Sequence, residues 1–391
     1  MQKPARLGAI VLALLIAITP AASNAPLLNA QTEQVETLFD LKQSAVSTPA
    51  GLRPDQIRKA YGFDQIVNKG KGQIIGIVDS FDHPAIEQDL ATFNAMFGLS
   101  PCTTANGCFR KIYADGKKPP ANALWALEIA LDVEWAHAIA PEAKILLVEA
   151  GSDQLSSLLK AVDVAIKRGA TVISMSWGLG EIPNQLIYDG HFVGANVTFF
   201  AASGDSGHGT MYPAASPYVM GVGGTTLKLD KDSNYSGEVA WSGSGGGLSS
   251  LEPEPIYQIT YPIPNNPLHQ RGIPDVAYNA NPHSGVAVYD SIPLQGVSGW
   301  WEVGGTSVGA PQWAALFAIA NSVRAGSGKP ALTGKHGDLY DLAKANPGLF
   351  NDIVKGKNDK CGELCKAAPG YDYITGLGTP RANLLIPALN F

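Results

Sequence analysis

The sequence predicts an α/β fold in which a mostly parallel central sheet is covered by helices on both faces. Short apolar runs such as IIGIVDS, KILLVEA and TVISMSW alternate with longer segments of helical periodicity, for example LSSLLKAVDVAIKRG. Parallel strands that are covered on both faces form nearly continuous apolar runs, and they need long, usually helical, crossover connections. The later run PYVMGVGG predicts a further strand of the same sheet.

The composition is typical of a compact, loop-rich secreted enzyme. Of the 391 residues, 43 are glycine and 27 are proline, only 16% are charged, and the formal net charge is −6. A negative net charge disfavours nucleic acid and anionic membrane surfaces as partners. We therefore expect that the protein binds no nucleic acid, and we expect separately that it is a monomer.

The first 25 residues have the pattern of a secretory signal peptide. Lys3 and Arg6 precede the apolar run LGAIVLALLIAI, and small residues follow. The apolar run is too short for a transmembrane helix, although a retained anchor is the alternative. We expect a secreted protein, extracellular or periplasmic, with no stable membrane association after signal removal. Residues 26–50 are interpreted as a linker or short pro-segment, and residues 51–391 as the folded domain.

The four cysteines form two local pairs, Cys102 with Cys108 and Cys361 with Cys365. Metal ligation is the alternative, but these spacings without nearby partner histidines are poor for zinc. In an exported protein, two small disulfides that close loops are the favoured interpretation.

Ser307 is the candidate nucleophile. The stretch GGTSVGAPQWAAL places it on a tight turn just before a predicted helix, where the helix N-terminus favours developing negative charge. A serine hydroxyl is a weak nucleophile until an adjacent base activates it. None of the seven histidines lies in a pattern that marks such a base. A histidine base remains an alternative at this point.

A pair of carboxylates on a long apolar helix is the other candidate base. In ANALWALEIALDVEWAHAIAP, Glu128 and Asp132 are four residues apart and so share one helix face. The helix contains no Lys or Arg to neutralise them. Buried neighbouring carboxylates raise each other's pKa and tend to share a proton. The alternative is a solvated acidic stripe.

Asp205 is a third candidate. The run FFAAS predicts a buried strand, and SGDSG follows it directly, so Asp205 projects from the carboxyl end of a parallel strand. Open α/β sheets bind ligands at that edge. The alternative is a plain turn.

Together these stretches resemble the sedolisin family, the serine-carboxyl peptidases with a subtilisin-like fold. EIALD, SGDSG and GGTSVGAP match the family's Glu/Asp pair, oxyanion aspartate and serine, and SMSWG, WSGSGGGLS, RGIPDVAYNANPHSG and GYDYITGLGTP extend the match from about Gly51 to the C-terminus. The resemblance implies that residues 51–391 are a peptidase domain acting on polypeptides through an acyl-enzyme. We expect an endopeptidase, and removal of N-terminal tripeptides, which also occurs in the family, is the alternative. The implied roles are Ser307 as nucleophile, Glu128 as general base and then acid, Asp132 as its orienting group, and protonated Asp205 as oxyanion donor.

The resemblance implies activity at acid pH, because Asp205 can donate a hydrogen bond only while it carries its proton. It also implies an extended carboxylate network through Asp79 towards Trp177, for which an ordinary strand-end aspartate is the alternative. Two other functions remain open. One is a catalytically silent secreted binding protein on the same fold, and the other is a histidine-dependent subtilisin-type peptidase.

The C-terminal stretch NDIVKGKNDKCGELCKAAPGYDYITGLGTP resembles the family's calcium site. Hard oxygen ligands from a glycine-containing loop suit Ca²⁺. The resemblance implies one structural ion, remote from the chemistry. The implied ligands are the carboxylates of Asp352 and Asp372 and the backbone carbonyls of Ile353, Ala368 and Gly370.

Overall fold

The structure is a computed structural model that describes residues 33–334 and 336–391, with the side chains of residues 43 and 44 left out. The predicted signal peptide (1–25) and residues 26–32 of the predicted linker lie outside this range. The helices are α1 (Pro54–Ala60), α2 (Ile86–Phe97), α3 (Ala123–Ile139), α4 (Leu155–Lys167), α5 (Ile256–Thr260), α6 (Gly309–Gly326), α7 (His336–Ala345) and α8 (Ala382–Ala388).

The strands of the described residues belong to one large sheet and several small ones. They are β1 (Glu36–Thr37), β2 (Asp40–Val46), β3 (Ile74–Ser80), β4 (Phe109–Tyr113), β5 (Lys144–Ala150), β6 (Val172–Met175), β7 (Trp177–Gly180), β8 (Thr198–Ala202), β9 (Met211–Tyr212), β10 (Met220–Leu229), β11 (Tyr235–Ala240), β12 (Gly247–Pro253), β13 (Gln270–Ile273), β14 (Val276–Asn279), β15 (Val286–Leu294), β16 (Val297–Gly304), β17 (Phe350–Asn351) and β18 (Thr379–Pro380).

The central sheet has the strand order β4-β5-β3-β6-β8-β10-β11, and β14 also pairs with β10. Every pairing in it is parallel except that between β10 and the edge strand β11. The strand predicted from PYVMGVGG is β10. The structure therefore confirms the predicted α/β fold with a mostly parallel sheet.

Helices cover both faces of this sheet, as the alternation of side chains along β5 illustrates. Ile145 and Leu147 join the core that includes α3 and α6, whereas Leu146 and Val148 join the core that includes α4. Successive side chains of a strand point to opposite faces, so a wholly apolar strand serves two cores at once. Each such side chain stabilises the fold by about 1.5–3 kcal/mol when fully buried.

Helix α3 carries the predicted carboxylate pair into the interior. The Asn122 side chain caps its N-terminus by accepting hydrogen bonds from the N–H groups of Leu124 and Trp125. Every residue from Trp125 to Ile139 is buried, because α3 packs against α2, α6, β3 and β15. A helix that is apolar on all sides belongs in a core, and this one brings its acidic residues there with it.

The segment before Gly51 is paired with the domain. Strand β1 pairs antiparallel with β7, and β2 pairs antiparallel with β16. The paired region thus begins ahead of the predicted domain start, within the segment interpreted as a linker or short pro-segment.

Both predicted disulfides are formed. Cys102 bonds to Cys108 with Cα atoms 4.9 Å apart, and Cys361 bonds to Cys365 with Cα atoms 5.4 Å apart. Each closes a short loop, as the spacing predicts.

In the part of the chain that the structure describes, no helix combines the length and apolar character needed to cross a bilayer.

Candidate active site

Ser307 lies on a short turn between β16 and α6. Residues 306–308 form one 3₁₀ turn, and α6 begins at Gly309. The turn depends on Gly305, whose φ of +98° disfavours any residue with a side chain. A Cβ at Gly305 would also come within 2.6 Å of Asp205 Oδ2. Ser307 is fully buried, and its Oγ donates to the Ser176 carbonyl oxygen at 3.3 Å.

Glu128 is fully buried beside this serine. Burial raises the pKa of its carboxyl well above the usual range, and the charges of Asp132 and Asp79 raise it further. The nearby Ser307 side chain acts in the opposite direction and lowers this pKa. Oε2 accepts a hydrogen bond from the Leu38 N–H at 3.2 Å, and Oε1 has no partner among the described residues.

Asp132 lies one helical turn behind Glu128. Burial raises its pKa well above the usual range, and the charge of Asp79 adds to this. The Ser176 hydroxyl donates to Asp132 Oδ1 at 2.8 Å and also lies 3.4 Å from the Ser307 carbonyl oxygen. Ser176 therefore links the carboxylate pair to the turn that carries the serine.

Asp205 approaches the same turn from the end of β8. Its Oδ1 accepts hydrogen bonds from the Thr306 N–H at 2.8 Å and from the Thr306 Oγ1 at 2.7 Å. Its Oδ2 is buried and unpartnered among the described residues. Burial raises the pKa of this carboxyl to about 7. Since Oδ1 already accepts two hydrogen bonds, Oδ2 is the oxygen left to carry the proton.

Asp79 extends the acidic cluster, but the geometry of Trp177 differs from the expectation. Both Asp79 oxygens are buried without a partner in the described residues, and burial raises its pKa to about 8. The Trp177 indole N–H donates to the Val78 carbonyl oxygen at 2.8 Å and not to Asp79. Trp177 thus fixes the backbone at the end of β3.

Sequence reasoning did not single out three residues that complete the site: Ser176, Thr306 and Leu38. Two of them lie inside stretches that were noted, SMSWG and GGTSVGAP, so hydroxyl groups next to the candidate residues were an available signal. Leu38 lies in the weakly patterned segment before Gly51. It contacts the site through its backbone N–H, and a backbone contact does not depend on the residue type, so the sequence gives no signal for it.

The histidines lie elsewhere. Within residues 33–334 and 336–391, no hydrogen bond joins a histidine to Ser307. His83 is enclosed by Asp89 and Asp290, and His137 contacts the Ser100 carbonyl. The geometry gives no support to a histidine base.

The loop predicted to bind calcium brings four of the five implied ligand residues together. The Gly370 N–H donates to Asp352 Oδ2 at 3.1 Å, and the Ala368 N–H donates to Asp372 Oδ2 at 3.2 Å. Burial raises the pKa of both carboxyls, that of Asp372 to about 6, and neither carboxylate forms an ion pair with a basic residue in the part of the chain that the structure describes. Ile353 follows Asp352 with its side chain buried. Two carboxylates without a balancing cation fit a Ca²⁺ site.

The chain is similar in sequence to known peptidases. The profile of the subtilase family matches residues 125–333. Kumamolisin from Bacillus sp. (strain MN-32) is 31% identical over 382 residues, which cover 89% of this chain and 65% of that protein. Sedolisin from Pseudomonas sp. (strain 101) is 26% identical over 375 residues, covering 86% and 61%. Tripeptidyl-peptidase 1 from Dictyostelium discoideum is 27% identical over 394 residues, covering 90% and 61%.

The fold has a solved counterpart. The structure of Pseudomonas sedolisin, a serine-carboxyl proteinase complexed with two molecules of pseudo-iodotyrostatin, superposes with a TM-score of 0.72 at 24% identity. The match covers 88% of this chain and all of the other, so the fold is subtilisin-like. The chain spans between 61% and 65% of the length of the three relatives named above. It belongs to the subtilase family and, among the members of that family, it is similar to kumamolisin and sedolisin.

Proposed function

We propose that the protein is a secreted serine-carboxyl peptidase that hydrolyses polypeptides at acid pH. The observation that carries this proposal is that the fully buried side chains of Ser307, just before α6, and Glu128, on α3, interact, since the Ser307 side chain lowers the Glu128 pKa against the effect of burial. Among the described residues, this carboxylate is the candidate base that lies next to the hydroxyl. Family membership supports the same reaction class.

In the proposed mechanism, Ser307 Oγ attacks the scissile carbonyl carbon while Glu128 accepts its proton. Glu128 then returns the proton to the departing amine, which leaves an ester on Ser307. A water molecule hydrolyses this ester with Glu128 again as the base. Asp132 maintains the orientation and charge balance of Glu128. Because both carboxyls are buried close together and have raised pKa values, the pair can share one proton at acid pH, which leaves one negative charge to accept the proton of Ser307.

Asp205 is proposed to stabilise the oxyanion together with the Ser307 N–H. The supporting observation is its unpartnered Oδ2, which borders the Gly305 turn. A carboxyl with a pKa near 7 is protonated, and so able to donate, throughout the acid range. Its ionisation would replace a donor by a negative charge next to the oxyanion. Loss of one oxyanion donor typically costs about 10²–10³ in rate.

Endopeptidase action is supported by chain that lies on both sides of Ser307. Residues 33–37 extend along one side of the serine and residues 40–46 along the other, each paired with a strand of the domain. A cleft that accepts extended chain in both directions suits internal peptide bonds. We propose a monomeric enzyme that meets its polypeptide substrates outside the cell.

One structural Ca²⁺ is proposed in the C-terminal loop. When bound, the ion would supply positive charge to two carboxylates whose pKa values burial raises. Asp352 and Asp372 would provide carboxylate oxygens. The proposed carbonyl ligands are those of Ile353, Ala368 and Gly370.

The test is hydrolysis of a denatured protein between pH 2 and pH 8, after incubation of the purified chain at pH 4. We expect activity on the acid side only, and its loss in Ser307→Ala and Glu128→Gln. An optimum near pH 8 that survives Glu128→Gln would favour a histidine-dependent peptidase. No hydrolysis at any pH would favour the silent binding protein.

A further inference from the structure

A basic pocket lies at the amino ends of the parallel strands. Its volume is about 150 Å³, and it is bordered by Arg110 on β4, Lys144 on β5 and Arg168 directly after α4. All three residues are exposed, and within residues 33–334 and 336–391 none of their side chains forms an ion pair or a hydrogen bond. A pocket of this volume has room for a few water molecules or one small anion.

The register of the strands brings two of these cations to the same face of the sheet. Arg110 lies two residues before Ile112, and Lys144 lies two residues before Leu146. Both Ile112 and Leu146 belong to the core that includes α4. Because every second side chain of a strand points to the same face, Arg110 and Lys144 are directed to the α4 side as well. Ile74, opposite Lys144 on β3, also packs on that side.

The end of α4 brings the third cation to this edge. The helix ends one residue before Arg168, and Gly169 follows with a φ of +89°, which suits glycine and turns the chain. The Thr171 N–H then donates to the Ile74 carbonyl oxygen at 2.9 Å. Arg168 therefore lies close to the amino end of β3, at the edge where Lys144 also lies.

A disulfide-bonded loop forms another wall of the pocket. Gly107 and Cys108 line it, and Cys108 is bonded to Cys102. The Ile145 N–H donates to the Cys108 carbonyl oxygen at 2.8 Å, which ties the loop to β5. The walls are thus fixed by the sheet, the helix and the disulfide before any ligand arrives. Such preorganisation lowers the entropic cost of binding.

Ordinary structural roles account for two of the cations but not for the third. Arg168 compensates the negative end of α4, and Arg110 charges the edge strand β4, which discourages pairing with another chain. Neither role applies to Lys144, because β5 lies between β3 and β4. Glu142, two residues before Lys144, pairs with none of the three in the described chain. Three converging like charges repel one another, and an anion between them removes that cost.

We propose that this pocket binds one sulfate or phosphate group, either as the free anion or as an ester. Guanidinium groups match the oxygens of such an anion with paired N–H donors, and a lysine adds a point charge. Arg and Lys stay charged throughout the acid range, as a sulfate does, whereas a carboxylate ligand is half neutral near pH 4.

The pocket is remote from the candidate active site. Strand β3 runs for seven residues from Ile74 at the pocket to Ser80, next to Asp79 of the acidic cluster. At about 3.3 Å per residue, this places roughly 20 Å between the two ends of the strand. The inference therefore goes beyond the proposed peptidase function and does not depend on it.

The experiment titrates sodium sulfate into the full chain at pH 4 by calorimetry, in a Ser307→Ala background and with ionic strength held constant by NaCl. We expect one sulfate per chain. Lys144→Gln and Arg110→Gln should each weaken binding about tenfold, because each removes a charge-assisted contact. Lys231→Gln is the matched control, since the Lys231 side chain is 90% exposed in the β10–β11 turn. Equal affinities for Lys144→Gln and Lys231→Gln would overturn the site.

Thermal melting separates binding from the general effect of the salt. A ligand that binds the folded state raises Tm with its concentration, whereas sulfate also stabilises proteins through its exclusion from their surface. In chloride alone, all variants should melt together, because the replaced side chains are exposed and unpaired. In sulfate, Lys144→Gln should gain less than Lys231→Gln. The same gain in both would mean that only the general effect operates.

A polymer distinguishes the two sources of the anion. Dextran sulfate is compared with inorganic sulfate at the same concentration of sulfate groups, and dextran serves as the uncharged control. Tighter binding of the polymer that Lys144→Gln weakens supports an ester as the ligand, and binding of the inorganic ion alone supports the free anion. Binding of neither overturns the proposal. Hydrolysis of denatured protein by the Ser307 chain should be unchanged by Lys144→Gln, so failure of the site leaves the proposed function untouched.

Discussion

The Ser176 hydroxyl donates a hydrogen bond to Asp132 Oδ1 at 2.8 Å, and both residues are fully buried. The same hydroxyl lies 3.4 Å from the Ser307 carbonyl oxygen. It therefore sets the position of the supporting carboxylate relative to the turn that bears the nucleophile. In a buried site, a fixed donor holds a carboxylate in one orientation. Asp132, held in this way, in turn restricts the orientation of the neighbouring Glu128 carboxyl.

Replacement of Ser176 by alanine should lower kcat about tenfold or more and leave KM nearly unchanged. The variant removes a hydrogen bond to an ionisable group, a contact worth about 1.5–3 kcal/mol, without touching the pocket that binds the peptide. Steady-state kinetics on a peptide substrate at pH 4 measure the two constants. A rise in KM at constant kcat would show that Ser176 serves substrate binding instead.

Thr306 should control the upper pH limit of activity through Asp205. Its N–H and hydroxyl both lower the Asp205 pKa, while burial raises it to about 7. In Thr306→Val the hydroxyl is lost, so the Asp205 pKa rises further and the protonated form persists to higher pH. We expect the alkaline limb of the kcat profile to move upward, and the maximal rate to fall because the carboxyl is less well oriented.

The matched comparison is Asp205→Asn, whose amide does not titrate. Its kcat profile should lose the fall near pH 7. An alkaline limb that remains in place in both variants would assign the fall to another group, such as the Glu128 and Asp132 pair.

The sequence predicted the parts of the site that depend on local spacing. Glu128 and Asp132 share a face because they are four residues apart in a helix, and Ser307 precedes a helix because small residues permit the turn. Leu38 could not be predicted in this way, because it meets Glu128 across 90 residues of sequence through its backbone N–H. The hydrogen bond of Trp177 could not be predicted either, because its acceptor is the backbone carbonyl of Val78.

Removal of calcium should destabilise the protein at neutral pH more than at acid pH. Carboxylates must be ionised to bind the ion, and burial raises the Asp372 pKa to about 6. Thermal melts with EGTA and with CaCl₂ should differ at pH 7, and the difference should shrink below about pH 6. Asp352→Asn should reduce the difference at pH 7. Melts that are identical with and without the ion at pH 7 would contradict the proposed site.

Asp79 should make the fold less stable as pH rises. Its carboxyl has a pKa of about 8 in the folded protein and an ordinary value of 3.8. The unfolded chain therefore loses its proton first, so stability falls between about pH 4 and pH 8. Asparagine cannot ionise in either state. The change in the free energy of unfolding caused by Asp79→Asn should therefore be about 2–4 kcal/mol more favourable at pH 7.5 than at pH 4.

Urea unfolding in a Ser307→Ala background measures this without self-digestion. The exposed Asp359→Asn is the control and should change the free energy of unfolding by less than about 0.5 kcal/mol at both pH values. A gain for Asp79→Asn that is the same at both pH values would mean that ionisation is not its cause.

The buried ion pair between Arg271 and Asp275 should contribute more to the free energy of unfolding than an ion pair at the surface. Both side chains are fully buried, with Nη2 and Oδ2 2.5 Å apart. Asp275 also accepts hydrogen bonds from the Tyr340 hydroxyl and the Gly221 N–H. Arg271→Met would leave a buried carboxylate without its cation, and it should lower the free energy of unfolding by about 3–5 kcal/mol.

Arg53→Met is the matched control for this last variant, because Arg53 pairs with Asp55 at the surface, where both side chains are more than half exposed. Exposed pairs contribute about 0–1 kcal/mol, since water screens the charges and each partner is solvated alone. Urea unfolding at pH 5 compares the two losses directly. Equal losses would mean that burial does not increase the contribution of the Arg271 pair to the free energy of unfolding. The hydrogen bonds to Asp275 would then be enough to stabilise its negative charge.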